Sequence, residues 1–389
     1  PARVAVAFAL LWLAAFGFVT GPVAHVWSAY YYTLCAVGGA VLVALLARRL
    51  ARWGWVALAA ALVVWNAVGV AAPAFAVVEN PWGWTSHLTP WYFARGAALS
   101  ARLAAALGRA VPRPRPGTRF FFATLPPWAG FQTGNGPAIR HFYRDPSLGS
   151  WFYSQFSDTT AGDHPCVFLY WNGADFEPLY ANARDPMFQV GADLLLLERP
   201  AGAAHAFRRA LAAGGDPRDD LYWLGWAFLW SDRRAAAEQA WRAYGAKDDS
   251  SAHATWLTAA RTAVADRDTL AARRALVEAI RAGIGRPVAH AELAALLRGV
   301  NAKYALLETL VAARLDPADW LARRDLVDGL VAAHLDEVAG RELAALQRIE
   351  PGWAADTVTA RLAATLGGRS LAGRAVAEFG SVPEPEVGR

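Results

Sequence analysis

Three apolar blocks near the start of the chain decide the fold predicted from the sequence. They read VAVAFALLWLAAFGFV (residues 4–19), VAHVWSAYYYTLCAVGGAVLVALL (23–46) and WVALAAALVVWNAVGVAAPAF (55–75). The hydrocarbon core of a bilayer is about 30 Å thick, and a helix needs about 20 apolar residues to cross it. Because each block meets or approaches this length, residues 1–76 are predicted to form three transmembrane helices.

Arginines beside these blocks predict the orientation of the helices. Arg3 precedes the first block, and three further arginines lie between the second and third blocks. Short loops rich in arginine stay in the cytoplasm, so the chain after residue 76 is expected outside. The predicted location is the bacterial inner membrane, with a periplasmic C-terminal part. A signal peptide over residues 1–20 is the alternative, but two more apolar blocks follow it.

Composition limits the functions that the chain can have. Its 389 residues leave room for two or three domains, 55% of them are hydrophobic, and the formal net charge is +5. Cys35 and Cys166 are the only cysteines, and the spacings typical of zinc ligands do not occur. No disulfide, metal, cofactor or nucleic-acid partner is therefore predicted. The single methionine is Met187, and we expect Pro1 to begin a truncated chain and not to follow a removed methionine.

The segment 77–116 is predicted to contain a basic amphipathic helix and a proline-rich linker. Leucines recur there at every fourth position and arginines at every seventh, namely Leu99, Leu103, Leu107, Arg95, Arg102 and Arg109. Such a helix has one apolar face and one basic face. The basic face suits contact with lipid phosphates or with the phosphate of a lipid-linked donor. A solvated connector helix is the alternative.

Residues 117–200 are predicted to form a small β-rich (α+β) domain outside the cytoplasm. Five short aromatic or aliphatic runs are bounded by turn residues, namely Arg119–Leu125, Trp151–Phe156, Cys166–Trp171, Phe176–Tyr180 and Ala192–Glu198. Asn172-Gly173 is a candidate hairpin turn between the third and fourth runs. A helix is expected around Gly136–Tyr143.

One group of side chains in this domain has the composition of a catalytic or metal site. Asp158, Asp163, His164 and Cys166 lie within nine positions of the chain. They could supply a Cys/His nucleophile pair, which would make the domain a small hydrolase. However, the segment 157–163 has the composition of a surface loop, so no catalytic residue is predicted.

From residue 201 to 389 the sequence repeats with a period close to 34 residues. Small residues recur at Ala203, Ala237, Ala272, Ala305 and Ala339. Each is followed four positions later by a larger apolar residue, replaced by Thr309 in one unit, and seven positions later by another small or apolar residue. This spacing predicts stacked pairs of helices, because a small residue on one helix admits a bulky residue of its partner. One unit resembles the tetratricopeptide repeat (TPR), whose signature positions are matched there by Leu224, Gly225, Phe228, Ala237 and Trp241. The resemblance implies a superhelical array with a concave binding face.

The order of these parts resembles the C-terminal part of bacterial GT-C-type multispan glycosyltransferase-like proteins that carry TPR repeats. Pro22–Tyr32, as the opening of a late span, contributes to this resemblance. In that family the catalytic acid lies in the first extracytoplasmic loop, to which no position here corresponds. The resemblance therefore implies a non-catalytic, membrane-anchored scaffold.

The partners implied for this scaffold are the lipid bilayer, a protein or glycan on the repeats, and a polyprenyl-phosphate-linked sugar. An envelope-assembly TPR scaffold unrelated to glycosyl transfer, and the small hydrolase in 117–200, are the alternative functions. The predicted fold class is mixed: transmembrane helices, a small β-rich domain, and an all-α repeat array.

Overall fold

A computed structural model describes residues 2–20, 33–47, 52–71, 90–125, 130–131 and 134–376. They belong to two compact units, one drawn from 1–109 and 374–389 and the other from 110–373. The first unit contains helices α1 (Ala2–Thr20), α2 (Thr33–Ala47) and α3 (Arg52–Ala71), together with α4 (Pro90–Ala110) as far as residue 109. Helices α1 and α2 pack closely at Gly38, where a Cβ would lie 2.9 Å from the carbonyl oxygen of Ala9.

The prediction of three transmembrane helices at 4–19, 23–46 and 55–75 is wrong. None of the helices in the described ranges has both the length and the apolar character needed to cross a membrane. Of the second block, the structure describes α2 (Thr33–Ala47), a helix of 15 residues. At 1.5 Å per residue, α2 is about 22 Å long, which is short of the bilayer core of about 30 Å.

The second unit begins with a four-stranded mixed sheet. Its strands are β1 (Arg119–Ala123), β2 (Gly149–Phe152), β3 (Cys166–Trp171) and β4 (Phe176–Pro178), in the order β2-β1-β3-β4. Strand β1 is parallel to β2 and β3, whereas β3 and β4 form an antiparallel hairpin. The predicted turn at Asn172-Gly173 is confirmed, and the Asn172 Oδ1 accepts the backbone N–H groups of Ala174 and Asp175 at 2.9 and 2.8 Å.

Helices form the rest of the second unit. Two short helices, α5 (Pro137–Tyr143) and α6 (Asp158–Ala161), lie between the strands, and the others follow the sheet. These others are α7 (Pro186–Leu196), α8 (Pro200–Ala212), α9 (Pro217–Leu229), α10 (Arg234–Tyr244), α11 (Ser250–Ala265), α12 (Thr269–Ala282), α13 (Pro287–Leu297), α14 (Ala302–Leu315), α15 (Trp320–Ala332), α16 (Asp336–Ile349) and α17 (Thr357–Val376). The described chain is therefore mostly helical with one small mixed sheet, which corrects the predicted fold class.

One predicted strand is a helix. The run Ala192–Glu198 lies almost wholly in α7, whose N-terminus is capped by Asp185 and begins with Pro186. An apolar run of this length does not distinguish a buried strand from a buried helix. The Asp-Pro pair is a helix-start signal, since proline at the first helical position needs no N–H partner.

Helices α7 to α16 pack as five successive antiparallel pairs, in agreement with the repeat predicted from spacing. The five repeated alanines all lie on the second helix of a pair and are buried. In two of the pairs the helices cross in the same way, with a glycine against an aromatic ring. A Cβ at Gly225 would collide with the indole of Trp241, and a Cβ at Gly191 would lie 2.6 Å from Phe207. Gly191 and Phe207 precede Gly225 and Trp241 by 34 positions each. The array therefore begins at α7.

The array turns back on itself, so that α14 of the fourth pair contacts α7 of the first. The rings of Phe188 and Tyr304 stack with centroids 5.4 Å apart. Beside them, the Lys303 ammonium lies 2.8 Å from Asp193 Oδ1 and donates to the Tyr180 hydroxyl at 2.9 Å. The core is consequently continuous from the sheet into the helical pairs.

Candidate functional site

A groove of about 900 Å³ opens among helices α9 to α14 and is the candidate functional site. Apolar side chains form most of its lining. Two of them present large apolar areas to solvent: Trp256 on α11 is 43% exposed and Leu270 on α12 is 50% exposed. Leu293 on α13 is buried behind them. Concave apolar lining with a few polar groups is typical of a binding site.

Three arginines line the groove without an acidic partner in the part of the chain that the structure describes. They are Arg218 on α9, and Arg273 and Arg274 on α12. By contrast, Arg281 pairs with Glu278 at 2.6 Å and lies over the Tyr244 ring at 4.9 Å. The groove therefore has guanidinium groups available for a carboxylate or phosphate.

The acidic groups of the groove, in contrast, are held by the protein itself. The Tyr222 hydroxyl donates to Glu308 at 3.0 Å, and His290 Nδ1 lies 2.7 Å from Glu308 Oε2. The other ring nitrogen of His290 lies 2.9 Å from the backbone carbonyl of Ile284. Since a carbonyl only accepts, that nitrogen carries a hydrogen. His290 and Glu308 are 0% and 3% exposed, so they form a buried pair at the groove floor.

A second tyrosine holds another carboxylate of the groove wall. The Tyr304 hydroxyl donates to Asp219 Oδ2 at 2.8 Å. Burial, and then the nearby Asp219 and Asp220 carboxylates, raise the pKa of Tyr304, so its proton stays in this hydrogen bond. With these acids engaged and the three arginines unpaired, the groove favours an acidic ligand.

The arginines that are predicted to contact lipid phosphates lie on α4. The Arg95 side chain is outside the described side chains, Arg102 is half-buried and Arg109 is exposed. Leu103 and Leu107, on the apolar face of the helix, are 1% and 0% exposed. The contact of these arginines with phosphates stays a prediction.

The five residues assigned to repeat packing lie on α9 and α10. Leu224, Gly225, Phe228 and Ala237 are buried, and Trp241 is half-buried. The Trp241 indole N–H donates to the Tyr222 carbonyl at 3.2 Å, and its ring meets Trp226 edge to face at 4.9 Å. These contacts place the indole directly against Gly225.

Three side chains of the alternative catalytic cluster contact three different arginines. The His164 ring contacts Arg119 at 3.0 Å, whereas the Cys166 thiol contacts Arg209 at 3.1 Å. Asp158 pairs with Arg208 at 2.8 Å and also contacts His205. Burial raises the pKa of the Cys166 thiol, against the opposing effect of Arg209, which favours the unreactive thiol.

The groove itself was not predicted from the sequence, although a concave binding face was expected. Its residues come from six helices, and the only local signal is the adjacent pair Arg273-Arg274, a few positions after the apolar Leu270 on α12. Within the ranges that the structure covers, no group of three or more His, Cys, Asp or Glu residues is placed to hold a metal ion.

Solved structures similar to this chain are TPR proteins. The structure of YrrB, "a TPR protein with an unusual peptide-binding site", shows 14% identity and a TM-score of 0.25, covering 48% of this chain and 95% of that one. MamA shows 15% identity and a TM-score of 0.25, covering 41% and 94%. A thermophilic TPR protein of Thermus thermophilus, TTC0263, shows 16% identity and a TM-score of 0.22, covering 48% and 97%.

No protein-family model and no curated protein matches the chain. Because the TM-scores of the structural matches are low, the description as helix-pair repeats rests on the packing of this chain itself.

Proposed function

We propose that this protein is a helical-repeat scaffold that binds an extended segment of a partner protein in the groove among α9 to α14. The observation that carries the proposal is the combination of exposed apolar area at Trp256 and Leu270 with the guanidinium groups of Arg273 and Arg274, which have no acidic partner in the described part of the chain. A segment with a carboxylate, at a side chain or a chain terminus, beside an apolar side chain matches both features.

Selection of peptides on the full-length protein tests this function. Displayed random peptides that bind the immobilised protein are expected to be enriched in Asp or Glu next to aliphatic or aromatic residues. Fluorescence anisotropy then gives the Kd of one selected peptide. The double variant Arg273→Ala/Arg274→Ala is expected to raise this Kd at least about tenfold, since hydrogen bonds to charged groups contribute about 1.5–3 kcal/mol.

A matched control and a salt series make the result specific. Arg242 is exposed on α10 and does not line the groove, so Arg242→Ala is expected to leave the Kd unchanged. Added salt is expected to weaken binding, because exposed charges are screened over about 8–10 Å at physiological ionic strength. Selected peptides that lack acidic residues, or that bind the double variant as well as the parent, would refute the proposal.

The finer context stays a prediction from the order of parts in the sequence. It comprises a glycosyltransferase-like protein that uses a lipid-linked sugar and a periplasmic location. A reading frame continuous with the codon of Pro1, encoding apolar spans and an acidic pair in the first outer loop, would support the transferase context, and a start codon immediately before Pro1 would count against it.

A further inference from the structure

Four aspartates lie at the N-termini of α7 and α9: Asp185, Asp216, Asp219 and Asp220. Three of them accept hydrogen bonds. Asp185 caps α7 through the Phe188 N–H at 2.9 Å, Asp216 accepts the Arg218 N–H at 2.9 Å, and Asp219 accepts the Tyr304 hydroxyl. These bonds are sufficient to explain why three of the four aspartates are present.

The fourth, Asp220, has no such explanation. Its side chain is 0% exposed, and neither carboxylate oxygen has a hydrogen-bond partner in the described part of the chain. The charged groups that act on it are other carboxylates, those of Asp185, Asp219 and Asp216. A buried, unpaired carboxylate is so costly that a proton or a cation is expected to neutralise it.

Gly215, in the loop between α8 and α9, shows where Asp220 is directed. A Cβ at this position would collide with Asp185 Oδ2 and with Asp220 Oδ2. Both oxygens therefore converge on the same side of one glycine. Asp185 Oδ1 caps α7, which leaves Oδ2 for another partner. The convergence brings two acceptor-only oxygens together without a donor between them.

Burial, followed by the negative charges of Asp185, Asp219 and Asp216, raises the pKa of Asp220 to about 7. The Asp220 carboxylate is buried and has no hydrogen-bond partner in the described part of the chain, so nothing there compensates its charge. A ligand that supplies positive charge at the two converging oxygens would remove this deficit.

We propose that Asp185 and Asp220 bind a hydrated divalent cation, Mg²⁺ or Ca²⁺, between the N-termini of α7 and α9. Carboxylate oxygens are the ligands that these hard cations prefer, and Mg²⁺ commonly uses one or two carboxylates while it keeps several waters. The cation links α7 to α9 beside Asp219, a groove residue.

Thermal unfolding of the full chain at about pH 8 tests the site. The melting temperature Tm in EDTA is compared with that in about 10 mM MgCl2 or CaCl2 at matched ionic strength. Preferential binding to the folded state is expected to raise Tm by at least about 2 °C. Asp220→Asn is expected to abolish the rise, and it should fold because it removes a buried charge. Asp185→Asn keeps a capping side chain and should reduce the rise.

Asp249→Asn is the matched control, because Asp249 caps α11 through the Ala252 N–H at 2.9 Å in the same way. It is expected to keep the full rise in Tm. Equal rises in the parent and in Asp220→Asn would overturn the proposal. The same holds if neither cation changes Tm while acidification to about pH 6 raises it in the parent alone, because a proton would then neutralise Asp220.

Discussion

Replacing Gly225 by alanine tests the crossing of α9 and α10 with the smallest possible change. In a helix interior, glycine is less favourable than alanine by about 0.5–1 kcal/mol. At Gly225, however, the added methyl group would collide with the Trp241 indole, which is held by its hydrogen bond to Tyr222 and its contact with Trp226. Overpacking of this kind costs about 1–3 kcal/mol. Gly225→Ala is therefore expected to destabilise the protein by up to about 2.5 kcal/mol.

Gly340 on α16 provides the opposite case. A Cβ there meets nothing within 4 Å, so Gly340→Ala is expected to stabilise the protein by about 0.5–1 kcal/mol. In the Trp241→Ala background, Gly225→Ala should also become stabilising, because the indole is gone. A double-mutant cycle measures this coupling between the two positions.

Urea unfolding of the full chain, followed by circular dichroism, gives each free energy of unfolding. At about 2–4 °C per kcal/mol for a unit of this size, the two glycine variants should also melt at clearly different temperatures. If Gly225→Ala stabilised the parent as much as Gly340→Ala does, the Trp241 indole would be able to move away from the added methyl group at no cost. The packing described for this crossing would then be wrong.

Other contacts yield further predictions. Glu308→Ala should cost about 3–5 kcal/mol in urea unfolding because it removes the buried carboxylate that His290 and Tyr222 share. Glu292→Ala, in an exposed pair with Arg261, should cost about 0–1 kcal/mol, and equal costs would mean that Glu308 is hydrated. Asp193→Ala should cost about 1–3 kcal/mol, as it removes the acceptor of Tyr153 and the partner of Lys303, and a loss within the error of a surface variant would contradict these contacts. A chain begun at Ala201 should melt at a lower temperature than one begun at Asp185, because it lacks Gly191 and Phe188, which pack on Phe207; equal melting temperatures would show that α7 contributes nothing to the array.

The helical pairs could be predicted from the sequence because their packing requires small residues at a regular spacing. Ala237 must be small where α10 crosses its partner, and the same need recurs in each pair, so spacing alone located the register. Only the first helix of the first pair, α7, was missed, since the leucine run before Glu198 resembles a buried strand. This helix was marked only by Asp185-Pro186 and by Gly191, which stands 34 positions before Gly225.

Other features leave no trace at a fixed spacing. The apolar blocks were interpreted as membrane spans, because hydrophobicity alone reports burial and not the length of a helix. The groove depends on which side chains six helices bring together, and the pairing of Tyr222 with Glu308 joins positions 86 apart. Such pairings follow from the rotation between successive pairs, which no local pattern specifies.

The contact between α7 and α14 has a consequence for how this array could change in evolution. An open solenoid gains or loses units easily, because each unit contacts only its neighbours. Here Lys303 on α14 contacts Asp193 on α7, and this contact requires a set number of intervening helices. Duplication or deletion of one unit between them would displace α14 from α7. It would separate Phe188 from Tyr304 and Lys303 from Asp193. The count of units between α7 and α14 is thus part of the fold, as the strand count is in a closed barrel.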